Sequence, residues 1–214
     1  MINMARSLDE ISFREMDNKF LLVKDIDLKT RMIIEKSGFR IRQDDNAMLV
    51  FGYIDQEAGL SFELLCAACV YDDGEVSLEP TNKSTSFKFR YGSFQGDVVP
   101  FTNLSQLVPY HERAQMIVKG YAAPEPVLGI RAIKELDPSR APGYPDDIVV
   151  FFIKEGYRNE GIWCRTVGTD QARRLIQMRM LNEPNAPFGK HIGDIIDVTL
   201  YQMDDGELKA VGMM

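Results

Sequence analysis

Cysteine, histidine and tryptophan are scarce in this chain, and each scarcity removes a class of chemistry. Three cysteines in 214 residues are too few and too odd in number for a disulfide framework. A globule of this length buries roughly 70% of its unfolded surface and needs no such staple. The two histidines are His111 and His191. His111-Glu112 begins like a zincin helix, but Gln115 stands where the second histidine belongs, so the metal pair is missing. No Gly-rich loop follows a strand pattern, and there is no Gly-x-Ser-x-Gly elbow, which leaves P-loop, Rossmann and serine-hydrolase readings without support. Apolar runs are all too short to cross a bilayer. The start turns acidic at Asp9-Glu10 without an apolar signal region, so a cytoplasmic protein is expected.

What is present is ordinary globular composition, 45% hydrophobic and 27% charged, with a formal net charge of -7. That sign repels phosphate backbones and anionic lipid, so neither nucleic acid nor membrane is an expected partner, whereas a basic protein is. The strand-like Phe87-Lys88-Phe89-Arg90-Tyr91 alternates aromatics with cations. Its aromatic face is expected in the core rather than stacked on bases.

The spacing predicts an α+β fold, predominantly an antiparallel β meander with small barrel-like sheets and two or three helices. Ser7 and Glu10 have capping-box spacing ahead of a helix from Leu8 to Met16. Asp27 caps a helix from Leu28 to Lys36, and Pro109 opens another with His111 to Lys119 as its body. Period-two alternation begins at Phe39 and Ile41 and continues through Ala47–Ile54, Leu60–Tyr71 and Val76–Leu78. Asp72-Asp73-Gly74-Glu75 supplies a tight turn. The Ala122–Pro126 segment reads as a linker, dividing an N-terminal α+β lobe, 1–123, from a C-terminal antiparallel β lobe, 127–214. Val127 to Leu136 fits strand or helix, and the Pro- and Gly-rich Asp137 to Asp147 reads as a loop. Beyond it lie five short apolar runs between Ile148 and Val211, expected to pack around Trp163 and the Ile176, Met178, Met180 face.

Three groups of residues are candidates for chemistry. Cys66-Ala67-Ala68-Cys69 has redox or zinc spacing, but it falls inside a strand pattern, where residues three apart point to opposite faces. Buried, inert thiols are expected. Cys164 with His191 has the residue types of a thiol nucleophile and its base. The paired carboxylates Asp44-Asp45, Asp72-Asp73, Asp146-Asp147 and Asp204-Asp205 are expected at turns, which Asp stabilises through its own side chain. No cofactor, no metal and no catalytic residue is assigned by these patterns. If the chain has a functional surface in its second half, the loops Asp137–Asp147 and Asn182–His191 are the expected places.

Three pieces of the second lobe carry a resemblance: Gly161-Ile162-Trp163-Cys164-Arg165-Thr166-Val167, Met180-Leu181-Asn182-Glu183-Pro184, and Ile192-Gly193-Asp194-Ile195-Ile196-Asp197-Val198. Together residues 161–198 resemble small uncharacterised bacterial β domains found near immunity-type proteins of toxin systems. The resemblance implies a non-catalytic binding module and brings no catalytic residues with it. The alternative expectation is a hydrolase-like enzyme with a carboxylate or Cys164-based site between the lobes.

Overall fold

The computed structural model describes residues 6–80 and 85–214. They form an α+β protein of two compact units, divided between Ala122 and Ala123.

The N-terminal unit is built on one seven-stranded sheet. Its elements in order are β1 (Arg6–Ser7), α1 (Phe13–Met16), β2 (Lys19–Lys24), α2 (Leu28–Lys36), β3 (Ala47–Asp55), β4 (Gly59–Val70), β5 (Val76–Leu78), β6 (Lys88–Arg90), β7 (Asp97–Pro100), α3 (Leu104–Leu107) and α4 (His111–Gly120). The strands run β1-β7-β2-β3-β4-β5, with β6 also paired to β4. Strands β2 to β5 run as an antiparallel meander, and β7 returns across the sheet to pair with β2.

The β3–β4 hairpin is its spine. Asp55 Oδ1 accepts the N–H groups of Glu57 and Ala58 at 3.0 and 3.2 Å, and Gly59 takes φ +72° to complete the turn. Both strands are buried along nearly their whole length, so they read as continuous apolar runs rather than as alternation. One face packs Met48, Val50, Phe62 and Leu64 with Met16 and Ile34. The other packs Leu49, Phe51, Tyr53 and Leu65 with Tyr110, Ala114 and Ile117 of the α4 region. Phe89 is buried among Phe62, Phe87 and Phe94 in edge-to-face contacts, while Lys88 and Arg90 point outward.

Local chemistry sets several boundaries. Asp27 Oδ1 accepts Thr30 N–H at 2.7 Å and starts α2 where its spacing placed it. The expected Leu8–Met16 helix is broken instead into a 3-10 turn, Leu8–Glu10, and the short α1. Glu10 does reach back to Ser7 N–H, at 3.2 Å. Ser12 then starts a fresh cap by accepting Arg14 N–H, so two competing N-termini divide the segment. Phe39 to Arg42 joins no sheet. Phe39 is simply buried against the α2 face.

In the C-terminal unit, α5 (Glu125–Ala132) and a 3-10 turn, Lys134–Ser139, precede β8 (Arg140–Ala141), β9 (Tyr144–Ile153), β10 (Glu160–Asp170), β11 (Leu175–Met180), β12 (Ile195–Gln202) and β13 (Leu208–Met213). The expected Asp137–Asp147 loop is therefore mostly structured, its Pro138 held inside the 3-10 turn. Strands β9 to β13 pair in succession, and β13 pairs again with β9, closing a five-stranded barrel. Each successive pair is antiparallel, so the first and last of five staves run the same way, and the closing β13–β9 pair is parallel. A register shift at Thr166/Gly168 marks a bulge that helps β10 bend around the barrel.

Alternation decides what fills it. Ile148, Val150 and Phe152 of β9, Ile162 and Cys164 of β10, Met178 and Met180 of β11, Ile196 and Val198 of β12 and Ala210 of β13 form the buried interior, joined by Ile130 and Leu136. This is a packed core rather than a pore. Arg140 fastens α5 to it. Its guanidinium donates to the carbonyls of Pro145, of Ile130 at 2.8 Å and of Ile133 at 3.2 Å, serving the carbonyls that the end of a helix leaves open. No helix among the described residues is long and apolar enough to cross a membrane.

Candidate functional site

The same alternation that fills the barrel turns Trp163 and Arg165 outward. Trp163 lies opposite Val149 on β9, and its carbonyl accepts Leu181 N–H at 2.8 Å on the other side. Its own backbone N–H donates to Asn182 Oδ1 at 2.8 Å. The residue is 38% exposed, so it is a surface aromatic and not the core anchor expected of it.

Around Trp163 the outer wall is apolar and half-open. Phe151 sits opposite Gly161 on one side and Val211 on the other, and Ile153 sits opposite Met213, which is 76% exposed. A Cβ on Gly161 would lie 3.0 Å from Val149 Cγ1 and 3.9 Å from the Phe151 ring, so the glycine leaves room for both. Lys209 Nζ stands 5.8 Å from the Phe151 ring centroid. A polar row bounds this patch: Asp147 binds Arg165 through two bonds of 2.6 and 2.9 Å, Arg165 neighbours Arg179, and Arg179 neighbours Ile195.

Beside the wall runs the 181–194 segment, which is irregular but heavily braced. The Glu160 carboxylate accepts the N–H groups of Asn185 and Ala186 and the Asn185 side chain, at 2.6 to 3.2 Å. Those donors hold Glu160 below the usual glutamate range. Phe188 anchors the segment edge-on against Phe152 in the core. Glu183 accepts Ile192 N–H at 2.9 Å and lies 2.5 Å from His191 Nδ1, while Asp194 accepts His191 N–H at 2.9 Å. Its hydrogen bonds from Ile192 and His191 lower the Glu183 carboxyl, and the bond to Glu183 raises the His191 imidazole. Ile192, 60% exposed, is held out at the bend these contacts fix.

The other candidate residues fall elsewhere, and burial decides their chemistry. Cys164 faces the barrel interior, where desolvation pushes its thiol up to about 12. His191 is on the surface with its ring against Glu183. The thiol is neutral at ordinary pH, and a neutral buried thiol is a poor nucleophile. Cys66 and Cys69 are free and buried. Burial also takes the Cys66 thiol up to about 12, although Tyr110 donates a hydrogen bond to its sulfur at 3.1 Å. His111 packs its ring at 5.7 Å from that of Phe20.

The four aspartate pairs divide. Asp73 and Asp205 brace turns by accepting the N–H of Glu75 and Glu207. Asp45 braces the turn after Arg42 by accepting its N–H at 2.6 Å. Asp146 and Asp147 correct the turn expectation, because both lie within β9 and are buried, one paired with Arg131 and the other with Arg165. Two further buried carboxylates lie outside the candidates that residue types give. Glu63 of β4 is 1% exposed and binds Arg113 of α4 and Ser86. Glu79 is engaged by Arg40 and Arg42 at 3.1 and 2.6 Å. A single charge inside the apolar run Leu60–Val70 was the available signal for Glu63.

Among the described residues no three His, Cys, Asp or Glu side chains are grouped to hold a metal ion. The Trp163 wall with the braced segment beside it is an exposed aromatic and aliphatic surface rimmed by charge. No family model, curated protein or solved structure matches the chain.

Proposed function

We propose that this protein is a non-catalytic binding module of the immunity type, which captures a basic protein partner through the outer wall of its C-terminal barrel. The observation that carries the reading is Trp163, a lone tryptophan turned out of a packed barrel onto an apolar wall and held there by Asn182 and Leu181. Tryptophan is enriched among the residues that dominate interface energies, and a rigid support lowers the ordering cost of using it. The net charge of -7 favours approach of a cationic partner and speeds encounter. The braced 181–194 segment supplies Glu183, Asp194 and the projecting Ile192 as neighbours for such contacts.

The test is co-purification of the tagged full chain with the proteins of its own cells, followed by alanine substitution. A basic protein recovered at one-to-one stoichiometry should be lost on Trp163→Ala and retained on Tyr201→Ala. Truncating an interface aromatic of this kind typically costs about 2–4 kcal/mol of binding, a fall in affinity of roughly 30-fold or more. A partner that binds the Trp163→Ala chain unchanged removes the reading.

A further inference from the structure

The N-terminal unit carries an open sheet edge set in a trough, and its chemistry points to a different kind of ligand from the barrel wall. Among the described residues, strand β5 pairs only with β4. Tyr71 N–H donates to Glu75 O at 2.9 Å and Glu79 N–H to Ala67 O at 3.0 Å, which places residues 75, 77 and 79 in the hydrogen-bonded positions. In an antiparallel ladder the intervening residues turn their N–H and C=O groups the other way. The backbone groups of Val76 and Leu78 therefore face away from the sheet.

They face space. A cleft of about 590 Å³ is lined by Tyr71, Val76, Ser77, Leu78 and Pro109, among others, and so lies along this edge. A second, of about 520 Å³, has an apolar lining from Leu22, Val70, Val99 and Phe101. The two share Glu75, Val76 and Gln106, so they adjoin at the start of β5. At that junction Gln106 Nε2 donates to Val76 O at 2.8 Å. The side-chain amide occupies the place that an N–H of an added strand would take.

We infer that this edge binds an extended peptide of a partner protein by strand addition, with apolar side chains entering the second cleft and basic ones facing Glu75. Strand addition takes affinity from main-chain pairing and selectivity from pockets for alternate side chains. The trough offers both. Charge complementarity sets the basic preference. The cleft along the edge is lined by the carboxylates Glu75 and Glu79, and Asp72 and Asp73 precede them in the turn. Glu79 is paired with Arg40 and Arg42, but Glu75 has no partner on its carboxylate among the described residues. Lys24 lines the second cleft from β2, and Arg42 donates to Ser77 Oγ on β5 at 3.2 Å while also meeting Glu79, so the acidic character of the edge rests on Glu75 with Asp72 and Asp73 of the turn. This inference goes beyond the barrel-wall reading and stands without it.

The probe is a capped synthetic peptide of about seven residues, a usual strand length, alternating valine and lysine. It is titrated into the full chain with calorimetry and amide NMR. Saturable binding is expected, with shifts centred on the amides of Val76 and Leu78. N-methylation of alternate amides should weaken binding by about tenfold or more, because it removes main-chain donors. A valine–glutamate analogue should bind at least as poorly. Gln106→Ala, which frees Val76 O, should tighten binding a few-fold, whereas Val76→Pro, which removes only an outward N–H, should weaken it about tenfold. The amide spectrum of each variant checks its fold, and Gln106→Ala stands as the readout should Val76→Pro not fold. Absence of saturation at millimolar peptide, equal binding of the N-methylated or glutamate peptide, or shifts confined to other strands would each overturn the inference.

Discussion

Breaking the Arg131–Asp146 pair should destabilise the barrel unit more than any truncation on its surface. The guanidinium bonds both carboxylate oxygens, Nε to Oδ1 at 2.9 Å and one terminal nitrogen to Oδ2 at 2.7 Å. The two side chains are 9% and 4% exposed. Asp146→Ala takes the bidentate carboxylate away from a buried arginine charge, a change that costs about 3–5 kcal/mol. A domain of this size has only about 5–10 kcal/mol to lose. Urea unfolding is the assay, and the lone tryptophan makes it specific, since Trp163 lies in the barrel and its selective fluorescence reports that unit alone. With a slope of roughly 1 kcal/mol per M for a unit this small, the midpoint should fall by about 3 M or more. The double change Arg131→Met with Asp146→Leu should recover most of the loss, because replacing both charges by apolar groups removes the desolvation debt as well as the bond. A midpoint shift under about 1 M for Asp146→Ala, a loss of under about 1 kcal/mol, would refute the reasoning by showing that water reaches the pair.

Other outcomes follow from the same structure. His191 should titrate above the ordinary imidazole value of 6.5 in histidine NMR, and Glu183→Gln should bring it back down. The contribution of this pair is fullest between the ordinary values of 4.5 and 6.5. It is lost as pH rises through the raised histidine pKa, and again as pH falls through the lowered glutamate pKa. At pH 8 the Cys66 and Cys164 thiols, near 12, should be only about 0.01% thiolate. Mass spectrometry should find them unalkylated in native protein and alkylated after denaturation, and rapid native labelling would contradict their burial. Gly52→Ala should cost about 1–3 kcal/mol in thermal unfolding, since the new Cβ is driven into the carbonyl oxygen of Met16.

How far the sequence foretold this structure depended on whether an element was fixed by its neighbours in the chain. The α2 start was legible because Asp27 acts on Thr30, three residues away. The inward faces of β9 to β13 were legible from alternation, and the Ile176, Met178, Met180 face lies inside as expected. What stayed hidden was set by distant partners. Trp163 reads as core because large aromatics usually are, yet strand parity turns it outward once Ile162 and Cys164 face in. Asp146-Asp147 imitates a turn signal, and only the pairing of β9 with β8 and β10 makes it strand, with Arg131 and Arg165 from other elements meeting the two charges. The return of β7 to β2 has no local signature at all, since it is decided by the pairing of Val98 and Val99 with Val23 and Leu22. The braced segment beside Trp163 overlaps the loop Asn182–His191 that sequence reasoning marked, whereas the other marked loop became 3-10 turn and strand.

The closing stave carries a consequence for biosynthesis. Because β13 is the stave that joins β12 to β9, the cylinder cannot be sealed while that segment is still unmade. Until Leu208–Met213 leaves the ribosome, β9 and β12 both hold raw edges, exposed to any neighbouring nascent chain. Premature termination after β12 should therefore yield a sticky product rather than a slightly smaller barrel, and the last few codons of this unit govern its solubility out of proportion to their number.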